Sequence, residues 1–306
     1  MTSGRPRCSV EAEARDEPLY ATASLVSAWL LIEQSGAWGP DALTESGFPS
    51  DIASELERRA SGVRILLIRN RVAPSGGRQF FKAHSGGDGI LPSMVAAPLP
   101  HPSDLLDVDL KALANGDLGP GTPIDHPTYL VCTHGRHDVC CSDRGRPLYR
   151  ALSAVRPERT WEVSHLGGDR FAANLLVLPR GDYFGRLEPE DAESLATGYE
   201  TGRIDLAHYR GRSIRPRLVQ AAEHFARELE DLPGLDDLEV ADYRRSGGDR
   251  ADVVFDGPSG EIRVQVRAVH RPERPYLTCR ADQPGDTVGY ELVSITPDPR
   301  ENHPSA

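Results

Sequence analysis

Short apolar runs bounded by Gly, Pro or charged residues recur along this chain, and they predict buried strands rather than long amphipathic sheets. Residues 29–33 (Trp-Leu-Leu-Ile-Glu) form the first, after an increasingly apolar stretch over 21–31 and before a loop over 35–40. Residues 64–69 and 78–82 form the next two, then 128–131, 161–163, and a hairpin pair over 172–178 and 183–187 around the turn Pro179-Arg-Gly-Asp182. Helical spacing is found between them. Asp51 is placed to N-cap a helix over 52–60 closed by Gly62, and a helix over 147–155 puts Leu148, Leu152 and Val155 on one face. A third helix, over 189–201, has Glu190 and Asp191 in its first turn and Gly202 as its stop. Residues 1–18 read as polar and loose, and 84–104, rich in Gly and Pro, as loop.

The order strand–loop–helix–strand, then hairpin, then helix predicts an α/β chain with a thioredoxin-like fold over 121–213. Residues 19–120 repeat enough of that order to point to a diverged thioredoxin-like half. The remainder, 214–306, opens with a helix over 216–229 that spaces Leu218, Ala221, Ala222, Phe225 and Leu229 along one side. Strands follow at 238–243, 251–255, 261–269, 276–279 and 290–295, a small α+β unit in which the sequence shows no chemistry. Two or three packed units suit 306 residues.

Composition narrows the classes. Hydrophobic content of 39% and charged content of 26% are those of an ordinary globular protein. A net charge of −11 argues against non-specific binding to nucleic acid or anionic membrane. No apolar run reaches the ~20 residues of a membrane span, and the first eighteen residues carry no apolar signal core. Five cysteines, two of them vicinal, do not form a disulfide framework and suit a reducing cytoplasm.

Chemistry concentrates in two segments. Cys132-Thr-His134-Gly-Arg-His137-Asp138-Val-Cys140-Cys141 follows one predicted strand, and His165-Leu-Gly167-Gly168-Asp169 follows the next. Thiolate and imidazole favour zinc, copper or iron–sulfur centres over magnesium or calcium. A lone buried Cys or surface His needs no ligand to explain it, but this density at two strand ends favours a site. His165 and Asp169 share a helical spacing, and the two glycines between them permit close approach of a bulky inorganic group.

The spacing Cys132-x-His134-x-x-x-Asp138-x-x-Cys141, followed by His165-x-Gly167-Gly168-Asp169-x-x-Ala172-x-Asn174, resembles the sucrase/ferredoxin-like family, whose members are similar to thioredoxin-like ferredoxins. The resemblance runs from about Leu19 to Ser213 and takes in residues 29–33, Gly145-Arg-Pro147 and Tyr209-Arg-Gly-Arg212. It implies a [2Fe–2S] cluster held by two cysteines and two histidines in an H-x-x-x-H spacing. By position the ligands are Cys132, Cys141 and His165, and Asp169 stands where the family has its second histidine. Cys140, His134 and His137 remain alternative donors, and Asn174 is placed to brace the His165 loop from behind.

These readings predict an electron-transfer or redox-sensing protein, a carrier more than a catalyst, working with a redox partner protein. The competing expectation is a zinc-bearing or metal-free binding module, since zinc accepts the same S, N and O donors. Glycoside hydrolysis gains no support, because no carboxylate pair across a cleft can be assigned. Nucleotide-loop and metalloprotease motifs are absent from the sequence. Arg144, Arg146 and Arg150 read equally as partner-steering charges or as a solvated helix face. Trp29, Trp38 and Trp161 read as core anchors, and Cys8 and Cys279, remote in sequence, fall outside the site.

Overall fold

The computed structural model describes residues 6–72, 76–87 and 89–299. In chain order the elements are α1 (Cys8–Ala14), β1 (Ala28–Glu33), α2 (Ser50–Arg59), β2 (Val63–Arg69), β3 (Gln79–His84), β4 (Ser93–Pro98), α3 (Leu110–Ala114) and β5 (Thr122–Pro123). Then come β6 (Thr128–Cys132), α4 (Val139–Val155), β7 (Thr160–Val163), β8 (Leu175–Leu178), β9 (Asp182–Phe184), α5 (Ala192–Glu200) and β10 (Tyr209–Arg212). The chain closes with α6 (Arg217–Glu230), β11 (Glu239–Ser246), β12 (Arg250–Gly257), β13 (Gly260–His270) and β14 (Val288–Pro299).

Ten strands make one sheet in the order β10-β9-β8-β6-β7-β2-β1-β3-β4-β5. β1 runs parallel to β2 and antiparallel to β3, which pairs antiparallel with β4. β6 repeats this pattern with β7, β8 and β9. The fold is therefore thioredoxin-like twice over, two βαβββ halves in a single sheet. β2 and β7 join them through the antiparallel pairs Ile68↔Val163 and Arg69↔Glu162. A buried ion pair between Arg69 and Glu162 pins the junction, and Arg71 adds a second contact at 3.1 Å.

Strand parity sorts side chains into three cores. Leu30 and Ile32 face α2 with Ile52 and Leu56. Tyr129 and Val131 face α4 and α5 with Leu148, Leu152 and Leu195. The intervening residues of both halves, including Trp29, Leu31, Leu130, Cys132, Trp161 and Leu176, share a central core. Alternation along β6 thus sends Cys132 inward with Leu130, and Trp29 and Trp161 sit beside them as core residues.

Several sequence expectations shift. Residues 84–104 contain β4, a Gly/Pro-flanked strand long enough to pair fully with β3. The N-terminal segment holds α1, whose Cys8 and Ala12 are buried, so it is packed from Cys8 onward. Helix α2 begins at Ser50 after Pro49, leaving Asp51 in the first turn instead of at the cap. Residues 276–279 pair with no strand and form an irregular loop. Helix α4 begins eight residues ahead of Pro147, at Val139, because Asp138 is the cap and accepts a hydrogen bond from the Cys140 amide at 2.8 Å. Among the described residues no helix is long and apolar enough to cross a membrane.

The second sheet, β11-β12-β13-β14, packs against α6. Leu218, Ala221 and Ala222 face inward as their spacing predicts, whereas Leu229 lies exposed near the helix end. Glu223, on the buried side, sits 2.7 Å from Arg215 and 2.9 Å from Arg227. Burial opposes its ionisation, but the two guanidinium charges outweigh that and bring its pKa from 4.5 down to about 2. A depressed carboxyl stabilises the folded state fully above its unfolded pKa and loses that contribution as pH falls through the folded one. This difference is worth about 3 kcal/mol. Glu223→Gln is expected to cost about 3 kcal/mol at neutral pH and to flatten the fall in stability between about pH 5 and 2. Urea unfolding across that range measures both, and an unaltered acid limb would show that Glu223 carries no such coupling.

Candidate metal centre

The site lies where β6 and β7, parallel neighbours, both end. Cys132 is the last residue of β6, its amide bonded to the Asn174 carbonyl at 3.0 Å. The chain then turns through residues 133–138 and enters α4. The turn is closed by Asp138 and His137 amides bonding the His134 carbonyl, each at 3.1 Å. Helix α4 carries Cys141 in its first turn and returns it to the central core beside Cys132. Gly145, one turn on, lets the helix backbone approach closely: a Cβ there would overlap the Cys132 carbonyl oxygen. Gly145 and Pro147 look like helix breakers, but Gly145 is what allows α4 to seat against the end of β6.

After β7 the chain passes through His165 to Gly167 and Gly168, with φ of 94° and 79°, into a short 3₁₀ turn starting at Asp169. Such dihedrals favour glycine. Arg210 fills the space beside Gly168, donating to the Gly167 carbonyl at 3.1 Å and to Asn174 Oδ1 at 2.7 Å. Asn174 Nδ2 in turn donates to the Gly168 carbonyl at 2.9 Å, so Asn174 holds the loop that carries His165 and Asp169.

Two overlapping sets of donor atoms result, Cys132 with Cys141 and His165, and His137 with His165 and Asp169, each within 4.8 Å. The Cys141 thiol donates to Asp169 Oδ1 at 3.1 Å. His165 Nδ1 stands 2.9 Å from the same oxygen without the alignment of a hydrogen bond. His137 Nε2 is 3.7 Å from Asp169 Oδ2, and its ring stacks on His165 with centroids 3.7 Å apart. His134 turns away, its Nε2 lying 2.6 Å from the Gly39 carbonyl. Cys140 also points elsewhere, toward Cys8 and Cys279.

The neighbouring Cys141 thiol, able to donate to a Cys132 thiolate in place of Asp169, brings Cys132 down to about 7, helped by His165 and the His134 amide. The nearby Cys132, with burial and Asp169, pushes the Cys141 thiol up. Burial opposes charge on both Asp169 and His165, yet their mutual attraction holds Asp169 below and His165 above its ordinary value. Burial, then the neighbouring His165, lowers His137. His165 Nδ1 and Asp169 Oδ2 are buried without hydrogen-bond partners among the described residues. Unsatisfied buried polar atoms are costly, and here they belong to the two residues that link the cysteine pair to His137. The donor set, two S, one N and one O, fits a metal or a small iron–sulfur group. His134, His137 and His165 line one side of a cleft of about 360 Å³, whose other wall is Asp41, Leu43 and Arg64 of the N-terminal half.

A family model described as sucrase/ferredoxin-like matches residues 19–211. Altered inheritance of mitochondria protein 32 of Meyerozyma guilliermondii is 33% identical over 93 residues, covering 27% of this chain and 33% of that protein. The chain thus matches about a third of the length of that curated relative. A thioredoxin-like [2Fe–2S] ferredoxin from Aquifex aeolicus aligns over 30% of this chain and 97% of its own, at 14% identity and a TM-score of 0.26. A cysteine-to-serine variant of that ferredoxin aligns over 27% and 96%, at 14% identity and a TM-score of 0.24.

Gly145→Ala separates helix propensity from packing. Propensity alone would stabilise α4 by about 1 kcal/mol, whereas overpacking against a backbone carbonyl costs ~1–3 kcal/mol. The rigid neighbour puts the cost at the upper end of that range, so a net loss of up to about 2 kcal/mol is expected by urea unfolding. A stabilised variant would show that α4 does not close on β6 in this way.

Proposed function

The chain belongs to the sucrase/ferredoxin-like family, and from that premise we propose that it binds a [2Fe–2S] cluster and acts as an electron-transfer or redox-sensing protein. Cys132 and Cys141 supply thiolates, His165 an imidazole and Asp169 the fourth donor. The observation that carries this reading is that two buried thiols, Cys132 and Cys141, meet His165, which in turn meets Asp169, while His165 Nδ1 and Asp169 Oδ2 are buried without hydrogen-bond partners among the described residues. When bound, the cluster supplies one-electron chemistry at a potential set by its ligands and their hydrogen bonds.

The protein's own residues do the positioning. Asn174 and Arg210 fix the Gly167–Gly168 loop, Asp138 caps the helix that presents Cys141, and the central core keeps water from both thiols. His137 stacks on His165 and faces the cleft, over which a redox partner protein would approach. The chain's net charge of −11 suits a partner with a basic face. Cysteines gathered into donor sets suit a reducing compartment, the cytoplasm. A second reading, one zinc ion at the same residues, draws on the compactness of the group, since all three donors of the first set lie within 4.8 Å.

Anaerobically purified protein is expected to be reddish-brown, with about two irons and two acid-labile sulfides per chain at this site. Protein that stays colourless after reconstitution with iron and sulfide would overturn the reading. Cys141→Ser is expected to abolish most of the visible absorption and Cys140→Ser to leave most of it, and a reversed order would reassign the thiolates. Asp169→His replaces a hard anionic donor with imidazole and should raise the reduction potential, as measured by protein-film voltammetry. An unchanged potential would remove Asp169 from the donor set.

A further inference from the structure

A second group of thiols lies on the other side of the α4 N-terminus. Cys8 from the first turn of α1, Cys140 from the first turn of α4 and Cys279 from the loop between β13 and β14 meet there. Cys8 and Cys140 are 132 positions apart in sequence, and Cys140 and Cys279 are 139 apart. Their sulfurs form a triangle with sides of 3.6 Å (Cys8–Cys140), 3.3 Å (Cys140–Cys279) and 3.5 Å (Cys8–Cys279). The fully buried Asp138 closes the group, its Oδ2 3.8 Å from the Cys8 sulfur. The carboxylate is aimed by two backbone amides, Cys140 N donating to Oδ1 at 2.8 Å and Cys279 N to Oδ2 at 2.6 Å. The Cys8 amide points at the Cys279 sulfur at 3.4 Å.

We infer that Cys8, Cys140, Cys279 and Asp138 form a tetrahedral zinc site, separate from the cluster site. Zinc–sulfur bonds of about 2.3 Å set thiolates ~3.8 Å apart at tetrahedral angles, and all three sides of the triangle fall within about half an ångström of that. A disulfide would join two sulfurs at about 2.05 Å and leave the third out. An iron–sulfur cluster spreads its thiolates over more than one iron, whereas these three surround a single point. Three soft donors and one carboxylate select zinc over magnesium or calcium. Binding displaces the thiol protons to solvent, and the N-terminal end of the 17-residue α4 favours the anionic charge that results. Amides holding the carboxylate and a sulfur are the outer hydrogen bonds that orient metal ligands.

The ion would tie three distant parts of the chain together: the N-terminal helix, the start of the helix that carries Cys141, and the loop of the C-terminal unit. It is independent of the iron–sulfur reading, since it shares no ligand with it.

Elemental analysis of the full-length protein, expressed with zinc and iron available, tests this. About one zinc per chain is expected, falling at least tenfold in Cys8→Ser and in Cys279→Ser. It should stay at about one in the Cys132→Ser/Cys141→Ser double variant, which removes the cluster thiols instead. Metal-free Cys132→Ser/Cys141→Ser protein titrated with Co²⁺ should give thiolate-to-cobalt charge-transfer absorption saturating at about one equivalent. In wild-type protein zinc should also protect Cys8, Cys140 and Cys279 from alkylation, read peptide by peptide, so the result does not depend on the variants folding. Zinc that departs with Cys132 and Cys141, absence of both zinc and cobalt binding, or a disulfide among Cys8, Cys140 and Cys279 in protein kept anaerobic would each overturn the assignment. A failure of the chromophore test with zinc retained through Cys8 would sink the cluster reading alone.

Discussion

The first turn of α4 is the constraint from which the chemistry of this chain follows. Successive side chains on a helix diverge by about 100°, so the vicinal Cys140 and Cys141 cannot serve one small site. Asp138, as the cap, fixes where the helix starts and therefore which way each cysteine points. One is directed into the central core beside Cys132, the other outward to Cys8 and Cys279. A start shifted by one residue would misdirect both. The close approach allowed by Gly145 then holds the helix at the depth this arrangement needs.

The two loops that hold the cluster residues are made rigid in different ways. The Cys132–Cys141 turn is closed by its own backbone hydrogen bonds and by a helix cap, interactions local in sequence. The His165–Asp169 loop relies on Arg210 and Asn174, reached from a distant strand and from the segment before β8. The thiols are thus carried largely by contacts local in sequence, the imidazole and carboxylate by contacts that need β10 in place.

Much of this was legible in the sequence. The repeated strand–helix–strand order points to a duplicated arrangement, and the sheet repeats one pairing pattern in β1–β4 and β6–β9. The spacing of Gly167, Gly168 and Asn174 likewise marks a loop braced by hydrogen bonds. The start of α4 was obscured because Gly145 and Pro147 carry the local signal of a boundary while close packing accommodates them inside the helix. β4 was hidden by flanking glycines and prolines. The thiol group of Cys8, Cys140 and Cys279 was out of reach, because no periodicity links residues more than 130 positions apart. One cysteine toward each end of the sequence, with a vicinal pair between them, was the available signal. Proximity is created only when α1 and the loop after β13 fold back onto α4.

The junction between the halves sets a limit on how the molecule can be divided. β2 and β7 are each an internal strand only because the other is present, and the far edges are the two-residue β5 and the short β10. Either half excised at the linker between β5 and β6 would expose a fresh apolar strand edge, together with one unpartnered charge of the buried Arg69–Glu162 pair. Open edges of that kind recruit other chains. The duplicated architecture therefore behaves as a covalent version of an edge-to-edge dimer, in which tethering has turned a site of self-association into the middle of a sheet.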